Sequence, residues 1–554
     1  MTPIQSLKHR SAALRERFSV TPVVLTALTI AFVLCADNGS FWTIASDVFA
    51  GHPLSYAGYM AAVFFLTLGA FSLFAFPWTV KPFLIFIVIL SAMTSYYVDT
   101  LGVIIDRDMI QNIMVTTFAE SRHLITSGYV IHIVIFGILP ALVLLWVRIK
   151  PQGRIRAAMM PVVTCVLSFA LTAGFLMGDF KSYASILRER KDFMSSYQPG
   201  APLVGAIRYA RMMSHSANVV VASTGADAKK GPTYDRPHKP MLTIVVAGET
   251  ARAANFSLNG YDVDTNPELE KLPIVNFSDA HSCGTATAVS LPCMFSKFTH
   301  DSYSFEKGVS NENVLDVLGH AGLHVDWWDN NTGDKGVAER FDTRIFTDLK
   351  NPEFCASGEC MDGIFMDPLK DYIASITQDT VLVLHQMGSH GPTYYQRYPA
   401  EFERFTPACR TAEFKKCAPQ EIINAYDNTI AYTDHLLAQT IDMLAAQDRL
   451  DTSLIYMSDH GESLGEHGLY LHGSPYFMAP DYQTHIPMIL WMSDNFKTRF
   501  AIDESCVADK KDQRMSHDNL FHSLLGMLDI ETTERNPELD IFASCKTTQT
   551  LAAK

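Results

Sequence analysis

The chain has 554 residues, of which 48% are hydrophobic and only 18% are charged, and its formal net charge is −14. At roughly 150 residues per domain, this length predicts three or four folding units rather than one. The acidic balance argues against a nucleic-acid partner, because phosphate backbones are bound by Lys and Arg.

The first third of the chain contains five apolar runs with the length of membrane-spanning helices. Each approaches the about 20 residues needed to cross a bilayer. Five nearly charge-free runs in succession argue against buried helices of a soluble core. We therefore expect residues 1–180 to form a five-helix transmembrane domain. The runs are Val20–Ala36, Ala57–Phe76, Pro82–Val98, Tyr129–Val147 and Ala157–Met177.

Basic residues indicate the orientation of this domain. Lys8, Arg10, Arg15 and Arg17 precede the first run, and four more basic residues follow the fourth run, whereas the loop 37–55 has none. The positive-inside rule then places the N-terminus in the cytoplasm, and five crossings place everything after residue 180 outside it. No small-residue cleavage site follows the first run, so we expect an uncleaved anchor.

The loop after the third run, residues 106–120, is partly polar and has helical periodicity. Asn112, Thr116 and Glu120 are spaced four residues apart and would share one helix face. That face is either simply solvated or forms a polar stripe at the outer leaflet that holds a lipid headgroup.

Residues 181–240 are expected to join the two halves of the chain. The segments 182–197 and 203–221 mix basic residues with apolar and aromatic ones, which is typical of helices lying on a bilayer surface. The segment 223–240 is rich in Gly, Pro, Lys and Asp and predicts a flexible linker.

From residue 241 onward, short apolar runs alternate with helical patterns such as 311–320 and 421–447. Continuous apolar strands separated by helices predict an α/β domain over 241–554, with a parallel sheet covered by helices on both faces. The expected strands are Met241–Ala247, Leu323–Trp328, Thr380–Leu384, Ser453–Met457 and Ile486–Trp491.

Polar side chains follow the ends of four of these strands, at the sheet edge where sites form in open α/β folds. Glu249, Asp459 and His460 make a reasonable zinc set and leave a fourth position for a hydroxyl nucleophile. His390, His467 and His472 could add ligands or bind an anionic substrate, and Asn331 completes the strand-end group. No HExxH, Walker A or GxSxG sequence occurs, which argues against a zincin, a P-loop NTPase and an α/β-hydrolase.

The stretch Ser282–Cys293 holds the candidate nucleophile. Small hydroxyl residues before an apolar run predict a tight turn that opens a helix, where free N–H groups and the helix dipole favour an alkoxide or a phosphate oxygen. Thr285 and Thr287 both fit, and the residues alone do not separate them. A capping hydroxyl beside a structural disulfide is the plainer alternative.

Eight of the ten cysteines follow residue 280 and occur as neighbouring pairs. Such pairs indicate disulfides and an oxidising compartment, and the absence of CxxC argues against a zinc ribbon. Many pairings are combinatorially possible, and we expect pairing between neighbours. The expected disulfides are Cys283–Cys293, Cys355–Cys360, Cys409–Cys417 and Cys506–Cys545.

Taken together, these motifs resemble the lipid A phosphoethanolamine transferases, inner-membrane enzymes of Gram-negative bacteria in the alkaline phosphatase/sulfatase superfamily. The resemblance covers essentially the whole chain. It rests on VAGETAR at 246–252, SCGTAT at 282–287, DNNTG at 329–333, HQMGSHGP at 385–392 and SDHGESLG at 458–465.

The resemblance implies a role for each candidate residue. It selects Thr287, not Thr285, as the nucleophile, and its disulfide pattern looks like the expected one. The implied zinc ligands are Glu249, Thr287, Asp459 and His460, with a second zinc allowed. The implied substrate-phosphate or second-metal residues are Asn331, Lys335, His390, Glu462 and His472. The implied lipid-headgroup residues are Asn112, Thr116 and Glu120.

The implied activity is zinc-dependent transfer of phosphoethanolamine from phosphatidylethanolamine to a phosphate of lipid A, through a covalent Thr287 intermediate. The added ethanolamine would weaken the attraction of polymyxins to lipid A. The chain would act as an inner-membrane monomer among membrane lipids, with its catalytic domain in the periplasm. Alternatives are a related phosphoglycerol or glycan phosphoethanolamine transferase, a plain phosphodiesterase or sulfatase, and an inactive membrane-anchored binding protein.

Overall fold

A computed structural model describes residues 19–189, 193–217, 219–356 and 358–547. The chain divides into two units. One comprises the chain up to Arg107 together with Ile125–Ala206, and the other combines Asp108–Leu124 with Ile207–Lys554. The loop before the fourth apolar run therefore belongs to the same unit as the α/β domain. The basic residues before the first run, which set the predicted orientation, lie outside the described residues.

The first unit is helical. Within the described part of the chain, four helices are long and apolar enough to span a membrane, namely α3, α4, α7 and α8. The bent pair α1 and α2, which meet at 74°, makes a fifth only if it counts as one span. The helices up to residue 216, in both units, are α1 (Pro22–Ala36), α2 (Gly39–Val48), α3 (Pro53–Ser72), α4 (Val80–Leu101), α5 (Arg107–Val115), α6 (Phe118–Leu124), α7 (Ser127–Trp146), α8 (Arg154–Gly178), α9 (Phe180–Glu189) and α10 (Gly200–Ser216).

The first apolar run is therefore shorter than a complete span. Thr21 caps α1 by accepting a hydrogen bond from the Val24 N–H, and Pro22 occupies the first turn, where its missing N–H costs nothing. At the other end, the Val33 carbonyl accepts from the Asp37 N–H at 2.9 Å and also from Asn38 Nδ2 at 3.0 Å, so Asn38 adds a second hydrogen bond to the last turn. The chain turns at this point instead of continuing as one helix.

The second unit is built on an eight-stranded mixed sheet in the order β8-β2-β7-β6-β1-β5-β3-β4. β7 runs antiparallel to both neighbours, and the other pairs are parallel. This confirms the predicted α/β class, but not an all-parallel sheet. The strands are β1 (Met241–Gly248), β2 (Val275–His281), β3 (His324–Asp329), β4 (Asp342–Ile345), β5 (Thr380–His385), β6 (Asp451–Ser458), β7 (His485–Met492) and β8 (Met515–Ser516).

The middle of the sheet forms the core of this unit. All residues of β1, β5 and β6 are buried, as expected for strands covered on both faces. The longer helices packed around them begin with the one that carries the candidate nucleophile. They are α11 (Thr287–Met294), α12 (Val314–His320), α13 (Met366–Ser375), α14 (Pro419–Ala445) and α15 (Asp518–Met527).

The segment predicted as a flexible linker, 223–240, is packed onto the α/β domain. Lys229–Lys230 pairs antiparallel with Ile530–Glu531, and Lys230 Nζ lies 2.7 Å from Asp379 Oδ2. Its Gly and Pro content reflects turns between these contacts, not freedom of the whole segment.

Candidate active site

The strand register brings the predicted ligands to one edge of the sheet. Ser458 pairs with Gly248 at the carboxyl ends of β6 and β1, so Asp459 and Glu249 follow at the same level. His385, at the end of β5, pairs with Ala247 on one side and with Asp329 on the other. The residues after these strands therefore share one crevice at the carboxyl edge.

Thr287 is the first residue of α11, and its side chain enters that crevice. Its Oγ1 lies 3.1 and 3.3 Å from the two carboxylate oxygens of Glu249 and 3.3 Å from His460 Nε2. Ala286 is the N-cap residue, so Thr287 is not a capping hydroxyl. Thr285 donates instead to the Ser474 carbonyl at 2.6 Å, which is a structural role.

Glu249, Asp459 and His460 suit a metal cation. One ligand atom of each lies within 4.8 Å of the others, and all three side chains are buried. His460 Nδ1 donates to the Gly461 carbonyl at 2.9 Å, which leaves the Nε2 lone pair facing the two carboxylates. Burial and the neighbouring Glu249 carboxylate raise the pKa of Asp459 well above its ordinary value. Two buried carboxylates so close together repel each other, and a bound cation would offset that repulsion.

The backbone around Glu249 is tightly constrained. Gly388 has φ +53°, and a Cβ there would lie 2.5 Å from the Glu249 carbonyl oxygen. That carbonyl also accepts from the Ser389 N–H at 3.0 Å. Only glycine fits this close approach, so the loop after β5 holds the Glu249 backbone in place.

Asn331 and Lys335, two of the predicted substrate residues, contact different parts of the site. Asn331 Nδ2 donates to Glu249 Oε2 at 2.8 Å and to the Gln386 carbonyl at 2.7 Å, so its amide orients the candidate ligand. Lys335 Nζ donates to the carbonyl and the hydroxyl of Thr332 at 2.7 and 2.6 Å. Its Nζ also lies 3.5 Å from the Val115 carbonyl, so the ammonium group is held between its own loop and the end of α5.

Glu462 and His472 form a buried pair beside His460. His472 Nδ1 lies 2.8 Å from Glu462 Oε2, and Tyr394 donates to Glu462 Oε1 at 2.6 Å. The rings of His472 and His460 are 4.4 Å apart. Burial raises the pKa of Glu462 to about 8. Burial, together with repulsion from His460 and His390, lowers the pKa of His472 well below its ordinary value.

The loop 106–120 contributes to the same site. Glu120 Oε1 lies 3.0 Å from His390 Nε2, and Gln111 Nε2 donates to the Ala288 carbonyl, next to Thr287, over 3.3 Å. Burial lowers the pKa of His390, but attraction to Glu120 outweighs it and raises that pKa to about 9.

The predicted single helix over 106–120 is, however, two helices, α5 and α6, with a break at 116–117. Thr116 Oγ1 donates to the Asn112 carbonyl at 2.6 Å, and Thr117 Oγ1 accepts from the Glu120 N–H at 3.3 Å, which starts a new helix.

Comparison with known proteins identifies the family. Residues 242–530 match the sulfatase family, and residues 63–213 match the family described as phosphoethanolamine transferase EptA/EptB. Phosphoethanolamine transferase EptA of Escherichia coli K12 is 41% identical over 483 residues, covering 86% of this chain and 87% of that protein. The chain belongs to the phosphoethanolamine transferases.

Other relatives share both halves of this transferase. Phosphatidylethanolamine transferase Mcr-1 of Escherichia coli is 34% identical over 545 residues, covering 95% of this chain and 97% of that protein. The integral membrane lipooligosaccharide phosphoethanolamine transferase A (EptA) of Neisseria meningitidis has a TM-score of 0.90 and 36% identity, covering 94% and 99% of the two chains. The periplasmic domain of EptC from Campylobacter jejuni has a TM-score of 0.51 and 43% identity, covering 58% and 97%. The transferase thus combines an apolar helical membrane part with a sulfatase-like α/β domain.

His517 joins the turn before Thr287 to the strand end before Asp459 in this transferase, and no sequence pattern predicts it. His517 is fully buried, and its Nδ1 accepts from the Cys283 N–H at 3.0 Å. Its Nε2 donates to the carbonyl of Ser458, next to Asp459, at 2.9 Å. His517 follows the two-residue strand β8, which is too short to show a pattern in the sequence.

Tyr394 was also not predicted, because it begins a three-residue 3-10 helix that is too short to show a pattern in the sequence. The four disulfides join the neighbouring cysteine pairs, and Cys283–Cys293 connects the turn before Thr287 to α11 itself.

Proposed function

We propose that this transferase moves phosphoethanolamine from phosphatidylethanolamine to a phosphate group of lipid A, with Thr287 as the nucleophile. The observation that carries the proposal is the position of the Thr287 hydroxyl, 3.1 to 3.3 Å from Glu249 and His460 at the carboxyl edge of the sheet. Relatives named phosphatidylethanolamine transferase Mcr-1 and Kdo(2)-lipid A phosphoethanolamine 7''-transferase support the two substrates.

Glu249, Asp459, His460 and the Thr287 oxygen would hold a zinc ion. Carboxylate, imidazole and hydroxyl donors fit it, and its presence is supported by Asp459 Oδ2, which has no hydrogen-bond partner among the described residues. When bound, zinc lowers the pKa of the Thr287 hydroxyl and offsets negative charge on the phosphate.

The side chains of the site then account for the first half-reaction. Thr287 donates its hydroxyl hydrogen to Glu249, which directs the oxygen lone pairs toward the substrate. The hydroxyl proton passes to the Glu249 carboxylate as the Oγ1–phosphorus bond forms and the bond from phosphorus to the diacylglycerol oxygen breaks. His390 is protonated at neutral pH, because its pKa lies at about 9, and supplies the proton that the departing diacylglycerol oxygen takes up.

The second half-reaction reverses these roles at the acceptor. An oxygen of a lipid A phosphate attacks the phosphorus, and the Thr287 oxygen leaves and recovers a proton. His472 is neutral near pH 7, because its pKa is lowered, and Glu462 and Tyr394 hold its ring in place. It is therefore a base available to the acceptor.

The Glu120 carboxylate suits the ammonium of an ethanolamine headgroup. Asn112 lies on α5, and Thr116 lies at the break before α6, where its hydroxyl donates to the Asn112 carbonyl. The acidic Glu120 favours ethanolamine over an uncharged glycerol headgroup. We place the chain in the inner membrane as a monomer with its α/β domain in the periplasm. Reduced negative charge on lipid A would lower sensitivity to polymyxins.

Lipid A mass spectra from cells that express the chain test this proposal. We expect a gain of one phosphoethanolamine unit with the wild type and a loss of roughly a thousandfold or more in transfer for Thr287→Ala. Thr285→Ala is the matched control, because it removes a hydroxyl that bonds only to the Ser474 carbonyl among the contacts described. Undiminished transfer by Thr287→Ala, or unmodified lipid A with the wild type, would overturn the proposal.

A further inference from the structure

One buried carboxylate, Glu359, connects to both members of the Glu120–His390 ion pair. Its side chain is only 6% exposed. Oε2 lies 2.9 Å from His123 Nε2 and 2.9 Å from a terminal nitrogen of Arg397, while Oε1 lies 3.4 Å from the other terminal nitrogen. The carboxylate therefore bridges two cationic or donor groups that come from distant parts of the chain.

The first connection leads to Glu120. His123 follows Glu120 by three residues on α6, so the two side chains lie on neighbouring positions of the same helix. The backbone beside Glu359 also packs closely on α6, because a Cβ at Gly358 would lie 3.1 Å from the Ala119 Cβ. Glu359 thus fixes the helix that carries Glu120.

The second connection leads to His390. Arg397 Nε donates to the His390 carbonyl at 2.8 Å while its terminal nitrogens bind Glu359. The Arg397 side chain is 2% exposed, so this guanidinium has little access to water and depends on Glu359 for its counter-charge. Burial raises the pKa of Glu359, but the nearby Arg397 outweighs it and holds that pKa well below its usual range.

The small strand pair that carries Glu359 is cross-linked by a disulfide. Glu359 and Cys360 form one side of a small antiparallel pair, and Cys360 is joined to Cys355 by a disulfide. The Cys360 carbonyl accepts from Asn330 Nδ2 at 2.9 Å, which attaches this hairpin to the sheet edge next to Asn331.

We propose that Glu359 is a positioning residue that sets the spacing of Glu120 and His390 and thereby the fit of the donor's ethanolamine headgroup. This rests on the proposed function, in which Glu120 faces that headgroup. Glu359 acts through its two neighbours and does not touch the substrate.

Steady-state kinetics of the full chain in phosphatidylethanolamine proteoliposomes test the role. We expect Glu359→Gln to raise KM for phosphatidylethanolamine about tenfold, because the headgroup contacts lose their spacing while the nucleophile is untouched. Turnover of bis(4-nitrophenyl) phosphate, a soluble phosphodiester without ethanolamine, should stay within about twofold of the wild type. Asp540→Asn, which breaks the pair between this buried carboxylate and the partly exposed Arg535, is the control and should leave KM unchanged.

Two further variants separate positioning from general damage. In a Glu120→Gln background, Glu359→Gln should add no further rise in KM, because its effect passes through Glu120. His123→Gln cuts only the connection to α6 and should raise KM in the same direction even where Glu359→Gln fails to fold. Equal losses of activity on both substrates would overturn the role of Glu359 but not the proposed function. So would a double variant in which the two increases in KM multiply. A wild type that does not use phosphatidylethanolamine would overturn the proposed function and this role together.

Discussion

At the scale of single residues, Asp459 is the most informative side chain of the site. Its Oδ1 accepts from the backbone N–H groups of Thr250 and His460 at 3.1 and 2.7 Å. Its Oδ2 is buried and, within the described residues, has no hydrogen-bond partner. A carboxylate oxygen without a partner in a protein interior is costly, so this atom is where a cation would stabilise the structure.

The first prediction concerns zinc at this atom. Adding zinc to metal-depleted protein should raise the melting temperature, since a ligand at about 100 times its Kd adds roughly 2.7 kcal/mol to the free energy of unfolding. Asp459→Asn should lose most of that shift in a thermal unfolding assay. Asp434→Asn is the control, because Asp434 is also buried but accepts from the Glu268 and Leu269 N–H groups, away from the proposed ligands. An equal zinc shift in Asp459→Asn would contradict the assignment.

At the scale of elements, the break between α5 and α6 determines where Glu120 lies. Four-residue spacing correctly indicates helical structure in this loop, but it does not reveal that Thr117 begins a second helix. Two adjacent threonines, each able to bond the local backbone, offer the chain an alternative to a continuous helix. The consequence is that Glu120 reaches His390 from α6 and not from the face that carries Asn112.

The second prediction concerns the pH dependence of that contact. The folded-state pKa of His390, about 9, is above its ordinary value of 6.5, so its stabilising contribution is complete below 6.5 and disappears as the pH rises through 9. The full contribution is on the order of 3 kcal/mol. Glu120→Gln should therefore lower the melting temperature clearly at about pH 6 and little at about pH 10.

The exposed pair Lys229–Glu531 provides the control for this measurement. Glu531→Gln should change the melting temperature slightly at either pH, because exposed ion pairs contribute little. A Glu120→Gln effect that is as large at high pH as at low pH would show that the ion pair with His390 is not its source.

At the scale of the whole molecule, the sequence predicts the centre of the sheet better than its margins. The strand ends that carry Glu249 and Asp459 could be found because buried strands are continuous apolar runs. β4 and β8 could not, since all four residues of Asp342–Ile345 are exposed and Met515–Ser516 has only two residues. The antiparallel direction of β7 could not be predicted from the sequence either, because a buried strand has the same apolar pattern in both directions.

Choosing Thr287 over Thr285 required the family resemblance for a related reason. Both hydroxyls lie in one turn of small residues, and only the three-dimensional contacts distinguish the Ser474 carbonyl from Glu249 and His460 as their partners. Local composition predicts the turn and not the direction of each side chain within it.

The third prediction concerns the disulfides that hold the α/β domain together. Cys506–Cys545 closes a separation of 39 residues, and Cys409–Cys417 closes one of 8. By chain entropy the first should stabilise the fold by about 4 kcal/mol and the second by about 2.5 kcal/mol. Paired Cys→Ala variants, compared by chemical unfolding of the full chain, should follow that order. The reverse order would show that local packing outweighs loop closure here.

The assignment of Asp108–Leu124 to the catalytic unit has a practical consequence for inhibitor discovery. A polypeptide that begins at Ile207 would fold around Thr287 yet lack Glu120 and Gln111, which contact His390 and the Ala288 carbonyl in the intact chain. Compounds screened against such a fragment would meet a wider crevice than the one in the intact chain. Screens on the chain that includes Asp108–Leu124 should instead favour smaller cationic molecules that occupy the space beside Glu120.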